Sequence, residues 1–223
     1  PQLFLLYSDG ERVRRQTIDH ADNFDVFLPL EVHYKVQALE YDPTTDMIYW
    51  IDVYGDHAHI YRSFSNGTKT ENIATSSDKE VLTSPRDIAL DPYGKQLYWT
   101  DNSIGSIKVT SLTSNQVGTL VSGENGKPTS IAVDPKRGYM YWTNSTDKTA
   151  SIEKARMNGV RGQDAQVYIK DSKKVDLGAL VIDPDGEFLF FVERKRRKLV
   201  RLSLKDLTEE ELDVGNLMKV GGL

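Results

Sequence analysis

Short apolar runs alternate with polar turn residues along the whole chain, and the alternation repeats. Four segments align without a gap: Leu39–Asp52, Ile88–Asp101, Ile131–Asn144 and Leu180–Glu193. Their Asp-Pro pairs begin at positions 42, 91, 134 and 183, which sets repeat lengths of 49, 43 and 49 residues. Each unit reads as strands. An apolar run such as Ile88-Ala89-Leu90 is stopped by Asp91-Pro92, where proline removes a ladder donor and aspartate favours a turn. An aromatic run follows (Leu97–Thr100), with the side chains that strands prefer. A third run closes a hairpin: Ile60–Phe64, Ile107–Leu112, Ile152–Met157 and Leu199–Leu204. Asn66-Gly67 and Asn158-Gly159 mark the next turn, and a fourth short strand such as Gly118–Val121 completes the unit.

Four antiparallel strands in 43–49 residues match the size of one propeller blade. A single small sheet cannot cover both of its faces, whereas blades packed radially bury them and leave only short edges. A helical solenoid has a similar period, but the Pro, Gly and β-branched content argues against helices. The only stretch with any helical character is Leu204–Leu212, where Thr208 precedes three glutamates; one short turn is the most it predicts.

Composition narrows the class without naming a function. The chain has 223 residues, 39% of them hydrophobic, enough for one all-β domain. No apolar run approaches the roughly 20 residues of a membrane-spanning helix. The first residues lack a basic start and a small-residue cleavage site, so a soluble, excised or processed segment is expected. The formal charge of -5 is mixed in sign and gives no general case for nucleic-acid binding. The chain has no cysteine, which removes a disulfide-stapled fold and leans toward a reducing compartment without excluding secretion. Two Asn-x-Ser/Thr triplets, at Asn66 and Asn144, tilt slightly outward. No nucleotide-binding glycine motif, cysteine metal cluster or nucleophile elbow is present, so no cofactor and no metal are expected.

The aromatic runs carry a family likeness. Tyr49-Trp50-Ile51-Asp52, Tyr98-Trp99-Thr100-Asp101 and Tyr141-Trp142-Thr143-Asn144 resemble the YWTD repeats of the low-density-lipoprotein-receptor family, and they hold every tryptophan of the chain. Pro85–Asp91, Ile152–Gly159 and the opening Leu3–Asp9 with Val13–Ile18 are similar to further family patterns. The likeness runs from residue 3 to about 204. It implies an all-β, six-bladed YWTD-type β-propeller with four-stranded antiparallel blades, here incomplete at about four to five. The expected division is 3–35 as outer strands of the closing blade, 36–83 as blade 1, 84–126 as blade 2, 127–175 as blade 3, 176–215 as blade 4, and 216–223 as a start of blade 5. Two departures stand out: Phe190-Phe191-Val192-Glu193 replaces the motif in the fourth unit, and Asn144 replaces its aspartate in the third. By the observed period the missing blade and closing strand amount to roughly 50–60 residues, so the segment is expected to be less than the full domain.

The repeated residues read as scaffold. Tyr and Trp offer packing area with a polar tip, the strand-end acid can satisfy loop donors, and Asp42, Asp91, Asp134 and Asp183 are turn residues on separate blades rather than a convergent acid/base pair. Function is expected where the repeats differ, in loops held by the strands. By family likeness the ligand-binding rim comprises Val53, Tyr54, Asp56, Arg86, Asn102, Ser103, Thr129, Asp147, Arg194 and Lys195, with Tyr54 and Arg86 of the types that anchor interfaces. Arg194–Lys198 is a dense basic run that reads first as a solvated loop and second as a seat for an acidic ligand or sulfated glycan. His57 and His59 lie in a loop on the same rim and titrate in the range over which family receptors release cargo. Asn66 and Asn144 are the glycosylation candidates, Asn66 expected occupied and Asn144 mostly not. The likeness implies an extracellular protein-binding module of an endocytic or signalling receptor, not an enzyme. It also implies flanking EGF-like and LDL-receptor class A modules, the ectodomain of a single-pass membrane protein, and no contact of this segment with nucleic acid or membrane. The alternatives are a metal-dependent propeller hydrolase of the lactonase or arylesterase kind, for which the inner strands offer only Glu40 and Asp87, and a nidogen-like matrix module.

Overall fold

The computed structural model describes residues 4–17, 25–78, 81–122, 126–160, 166–171 and 174–212. The expected start of a fifth blade at 216–223 lies outside them. The described residues form nineteen strands in five antiparallel sheets and no helix. The first sheet has three strands, β1 (Phe4–Ser8), β2 (Val13–Thr17) and β3 (Asp25–Phe27). Four four-stranded sheets follow, each a simple up-and-down meander. They are β4 (Lys35–Asp42), β5 (Met47–Tyr54), β6 (His57–Phe64) and β7 (Glu71–Thr75); β8 (Pro85–Asp91), β9 (Gln96–Asp101), β10 (Ser106–Ser111) and β11 (Val117–Val121); β12 (Lys127–Asp134), β13 (Tyr139–Ser145), β14 (Thr149–Arg156) and β15 (Gln166–Asp171); and β16 (Leu177–Ile182), β17 (Phe188–Glu193), β18 (Lys198–Ser203) and β19 (Glu209–Leu212). We call these four blades 1 to 4. Their first strands β4, β8, β12 and β16 neighbour one another in that order, so the sheets stand like slices around a shared inner edge. This is the propeller that the repeat predicts. The helical turn allowed at 204–212 is replaced by a turn and strand β19, whose glutamates pair with β18.

The period-2 alternation of a strand explains how the slices adhere. In blade 1, Trp50 packs back onto the first sheet with Val13, Val36 and Ile48, while Tyr49 and Ile51 face forward onto Leu82, Ile88, Leu97 and Trp99 of blade 2. Trp142 of blade 3 repeats the backward contact, against Ala89, Tyr98 and Ile107 of blade 2. Each tryptophan is completely buried, and each lies in a different cluster. In blade 4 Phe191 occupies the tryptophan's place, against Tyr141, Ile152 and Tyr168 of blade 3. The core therefore sits between sheets, and adjacent faces stabilise one another by the burial of apolar area.

The turns satisfy their own polar groups. Asp42 accepts from the Thr44 amide (2.8 Å) and the Thr45 hydroxyl (2.8 Å), Asp91 from the Tyr93 (3.0 Å) and Gly94 (2.8 Å) amides, and Asp183 from the Glu187 (2.8 Å) and Phe188 (2.7 Å) amides. At the opposite end of the strand, the motif acids bind the loop leading into the inner strand. Asp52 accepts from the His33 (2.7 Å) and Tyr34 (2.9 Å) amides and Asp101 from Thr83 (2.7 Å) and Ser84 (3.0 Å). Neighbouring sheets also touch at their outer hairpins through glycine. Gly159 has φ +87°, and a Cβ there would lie 2.5 Å from the Leu120 carbonyl of blade 2; one at Gly67 (φ +78°) would collide with the Pro29 carbonyl.

Candidate functional site

The inner strands are where the units cease to agree. Each breaks register with its neighbour at the same place, between Val36 and Ala38, Pro85 and Ile88, Pro128 and Ile131, and Leu177 and Leu180. Such irregularities re-aim side chains. Here they turn Gln37, Arg86-Asp87, Thr129-Ser130 and Ala179 toward the inner edge, where with Asn102, Lys127 and Arg194 they line a cleft of about 460 Å³. Three cations therefore stand around one opening, each from a different blade.

The floor is acidic and tied across blades. Asp87 accepts from the Ser130 hydroxyl and from the Ile131 amide (3.0 Å), and the Leu180 amide donates to Ser130 Oγ (3.0 Å), joining blades 2, 3 and 4. Removal from bulk water pushes the Asp87 carboxyl up to about 6, while the Ser130 and Ile131 hydrogen bonds and the Arg194 charge hold it back. Glu40, on β4, is pushed up to about 8 by burial and then by the charge of Asp87. Arg194 lies across bare backbone: a Cβ at Gly178 would come within 2.8 Å of its Nε. Its amide donates to the Asp176 carbonyl (2.8 Å) and its guanidinium approaches the Asp176 carboxylate (3.8 Å).

No protein-family model matches the chain. Among curated proteins, low-density lipoprotein receptor-related protein 5 of human and mouse match all of it at 29% and 30% identity. Low-density lipoprotein receptor-related protein 8 of chicken matches 88% of it at 31%. These relatives and the YWTD units agree on one reading. The chain is a YWTD β-propeller domain of the low-density-lipoprotein-receptor family. The YWTD propeller spans 13% of the length of the receptor-related protein 5 relatives and 20% of the receptor-related protein 8 relative. Among solved structures, a chain of a crystal structure of a nidogen/laminin complex superposes with TM-score 0.63 at 21% identity, covering 94% of this chain and 92% of that one. A TolB structure from Agrobacterium tumefaciens gives TM-score 0.76 at 15% identity over 93% of this chain and 76% of that one. Both likenesses show the fold alone.

Within the YWTD propeller, the expected rim residues divide. Arg86, Asn102, Thr129 and Arg194 gather at the cleft. Asp147 lines a second, smaller cleft of about 370 Å³ with Gly126, Lys127, Ser145 and Thr146. Tyr54 is 67% exposed and stacks on Tyr34 at 5.4 Å. Asp56 and Lys195 are exposed. Val53 packs against the core between blades 1 and 2, and Ser103 donates to Asp101 (3.1 Å). Lys127, Asp87 and Ser130 were not among the expected residues. Comparing the units at the register break would have found the last two, since Arg86-Asp87 aligns with Thr129-Ser130 and Gly178-Ala179.

Beside Tyr34 and Tyr54, His33 and His59 flank the Tyr61 ring at 5.5 Å each, and Asn72 contacts His59 Nδ1 at 3.1 Å. Burial holds the His59 imidazole below its ordinary range, with His33 and His57 adding repulsion and Asp52 opposing it. The basic run is largely neutralised: Arg196 pairs with Glu193 and Glu211, and Lys198 with Glu211. Asn66 is exposed, whereas Asn144 is buried and donates its Nδ2 to Glu153 (2.8 Å). Among the described residues no three His, Cys, Asp or Glu side chains are grouped to hold a metal ion, and no helix is long and apolar enough to cross a membrane.

Proposed function

We propose that this YWTD propeller is an extracellular module of a receptor related to the low-density-lipoprotein receptor, and that it binds a protein ligand across the rim carrying Tyr54, Arg86, Asn102, Thr129 and Arg194. Binding, not catalysis, is its role. The observation that carries the reading is convergence: side chains from four blades that no repeat demands meet at one cleft, while the repeated residues are consumed in packing. Exposed Tyr54 and Tyr34, stacked on one another in blade 1, offer the amphipathic ring surface that anchors interfaces. The relatives' name, receptor-related protein, and the capture of a nidogen in complex with laminin supply the analogy. In the parent chain the propeller is flanked by EGF-like and LDL-receptor class A modules in a single-pass ectodomain that serves endocytosis or signalling. It touches neither nucleic acid nor membrane itself.

The test is binding of a panel of secreted proteins to the immobilised propeller, its Arg86→Glu/Arg194→Glu variant and a Lys136→Glu variant on the opposite, Asp-Pro face. A ligand lost by about tenfold or more in the first variant and retained in the second supports the rim. Equal loss in both, or loss only with Lys136→Glu, overturns it.

A further inference from the structure

We propose that the cleft receives a carboxylate side chain, an aspartate or glutamate of the protein partner, and that Asp87 takes up a proton as that carboxylate enters. The inference rests on the rim reading and names the chemistry of the group that fills it.

Charge carries the first half. The opening presents Arg86 from β8, Lys127 from β12 and Arg194 from the β17–β18 turn, with the neutral donors Asn102, Thr129 and Gln37 between them. Against these stand Asp87 on the floor, Glu40 from β4 and Asp176 beside Arg194. Strand β16 contributes only Gly178 and Ala179 at this level. Arg194 lies over the inner strand at Gly178, with its guanidinium 3.8 Å from the Asp176 carboxylate. A planar guanidinium held in position is suited to a carboxylate, which it grips through two parallel N–H donors.

The second half follows from the floor. An anion drawn in by the arginines comes close to Asp87, and two carboxylates sharing a site cannot both stay ionised. Asp87 already lies high, at about 6, so of the two it is the one that accepts a proton from solvent. No other bond is broken. The protonated acid becomes a hydrogen-bond donor while its second oxygen keeps the Ser130 and Ile131 bonds. Since the bound form holds the proton more tightly than the free form, affinity is highest near pH 6 and declines as pH rises above it.

Two tripeptide probes test this, acetyl-Gly-Asp-Gly-amide and acetyl-Gly-Asn-Gly-amide, titrated against the propeller with the Arg86 and Arg194 side-chain NMR signals as readout. The aspartyl peptide should bind about tenfold tighter than the asparaginyl one, and its affinity should fall about threefold or more between pH 6 and pH 8. Arg194→Gln and Gly178→Val should each weaken it about tenfold. Asp87→Asn should keep binding but lose the pH dependence, whereas His57→Ala/His59→Ala should leave that dependence intact. Should Asp87→Asn fail to fold, calorimetry of the wild type in buffers of different ionisation heat measures the proton uptake directly. Equal binding of the two peptides, or no proton uptake, overturns the proposal. So does acetate saturating as tightly as the peptide, because the site would then belong to a free organic acid. If the secreted ligand is lost in Arg86→Glu/Arg194→Glu while the two peptides bind alike, the carboxylate inference falls and the rim reading stands.

Discussion

Blades 2 and 3 bury opposite charges at the same position, and the motif residue adjusts to suit. In blade 2 the residue opposite Trp99 is Lys108, 1% exposed, whose Nζ donates to the Val81 carbonyl (2.9 Å), and the motif residue is Asp101, bound to the Thr83 and Ser84 amides. In blade 3 the residue opposite Trp142 is Glu153, 4% exposed, and the motif residue is Asn144. Asn144 Nδ2 donates to Glu153 Oε1 at 2.8 Å, and Ser151 Oγ donates to the same oxygen at 3.2 Å. An aspartate at 144 would set two buried carboxylates within hydrogen-bond distance; the amide turns that repulsion into a bond. What looks like decay of the motif is compensation for a neighbour.

The largest effects should test whether the two blades are equivalent where they look alike. Trp99→Ala and Trp142→Ala should each cost about 3–5 kcal/mol by denaturant unfolding. A loss at Trp142 far below that at Trp99 would mean that blade 3 is not packed as blade 2 is. Next comes the motif position. Asp101→Ala strands two loop amides and should cost about 2–3 kcal/mol. Asn144→Asp should cost about 1–3 kcal/mol at pH 7, regained in acid and cancelled by adding Glu153→Gln. Persistence of the loss in the double variant would remove the compensation argument.

Smaller still is the effect of the acid on β4. Glu40 holds its proton to about 8 in the fold, far above an unfolded glutamate. The native state therefore binds more protons than the unfolded one between about pH 4.5 and 8, and stability falls as pH rises through that window. Glu40→Gln should flatten the slope, worth about 1–2 kcal/mol at pH 8 after allowing for its partial exposure to solvent; an unchanged slope would place the titration elsewhere. The least effect on stability is expected from sugar. Peptide mapping of secreted protein should find glycan on exposed Asn66, with Thr68 Oγ1 2.7 Å from Asn66 Oδ1, and none on Asn144. The reverse would contradict the burial of blade 3's motif residue.

The sequence made the blades readable because each is a local object: an Asp-Pro stop, an aromatic strand and a hairpin turn fall within one repeat, and the same spacing recurs. The site is not local. Asp87, Ser130 and Leu180 are 43 and 50 residues apart along the chain and meet only because inner strands stand side by side, so no single unit displays the cleft. Arg86, Asn102, Thr129 and Arg194 entered the expected rim through the family likeness, but Lys127 did not, since it immediately precedes the aligned pattern at Pro128. The ion pairing of the Arg194–Lys198 run stayed out of view for a related reason. Its β19 partner, Glu211, belongs to a strand hidden in a stretch whose only local signal was a short turn.

A fan of wedges closes at a radius fixed by how thick each wedge is at its outer end. Gly67 and Gly159 set that thickness, because one hairpin rests on the Pro29 carbonyl of the connection before β4 and the other on the Leu120 carbonyl of blade 2, with no room for a methyl group. An alanine there would splay the fan at its circumference and, by leverage, tilt the inner strands that carry Arg86, Lys127 and Arg194. The geometry of the cleft's mouth thus depends partly on the far edge of the disc, on residues that do not line it.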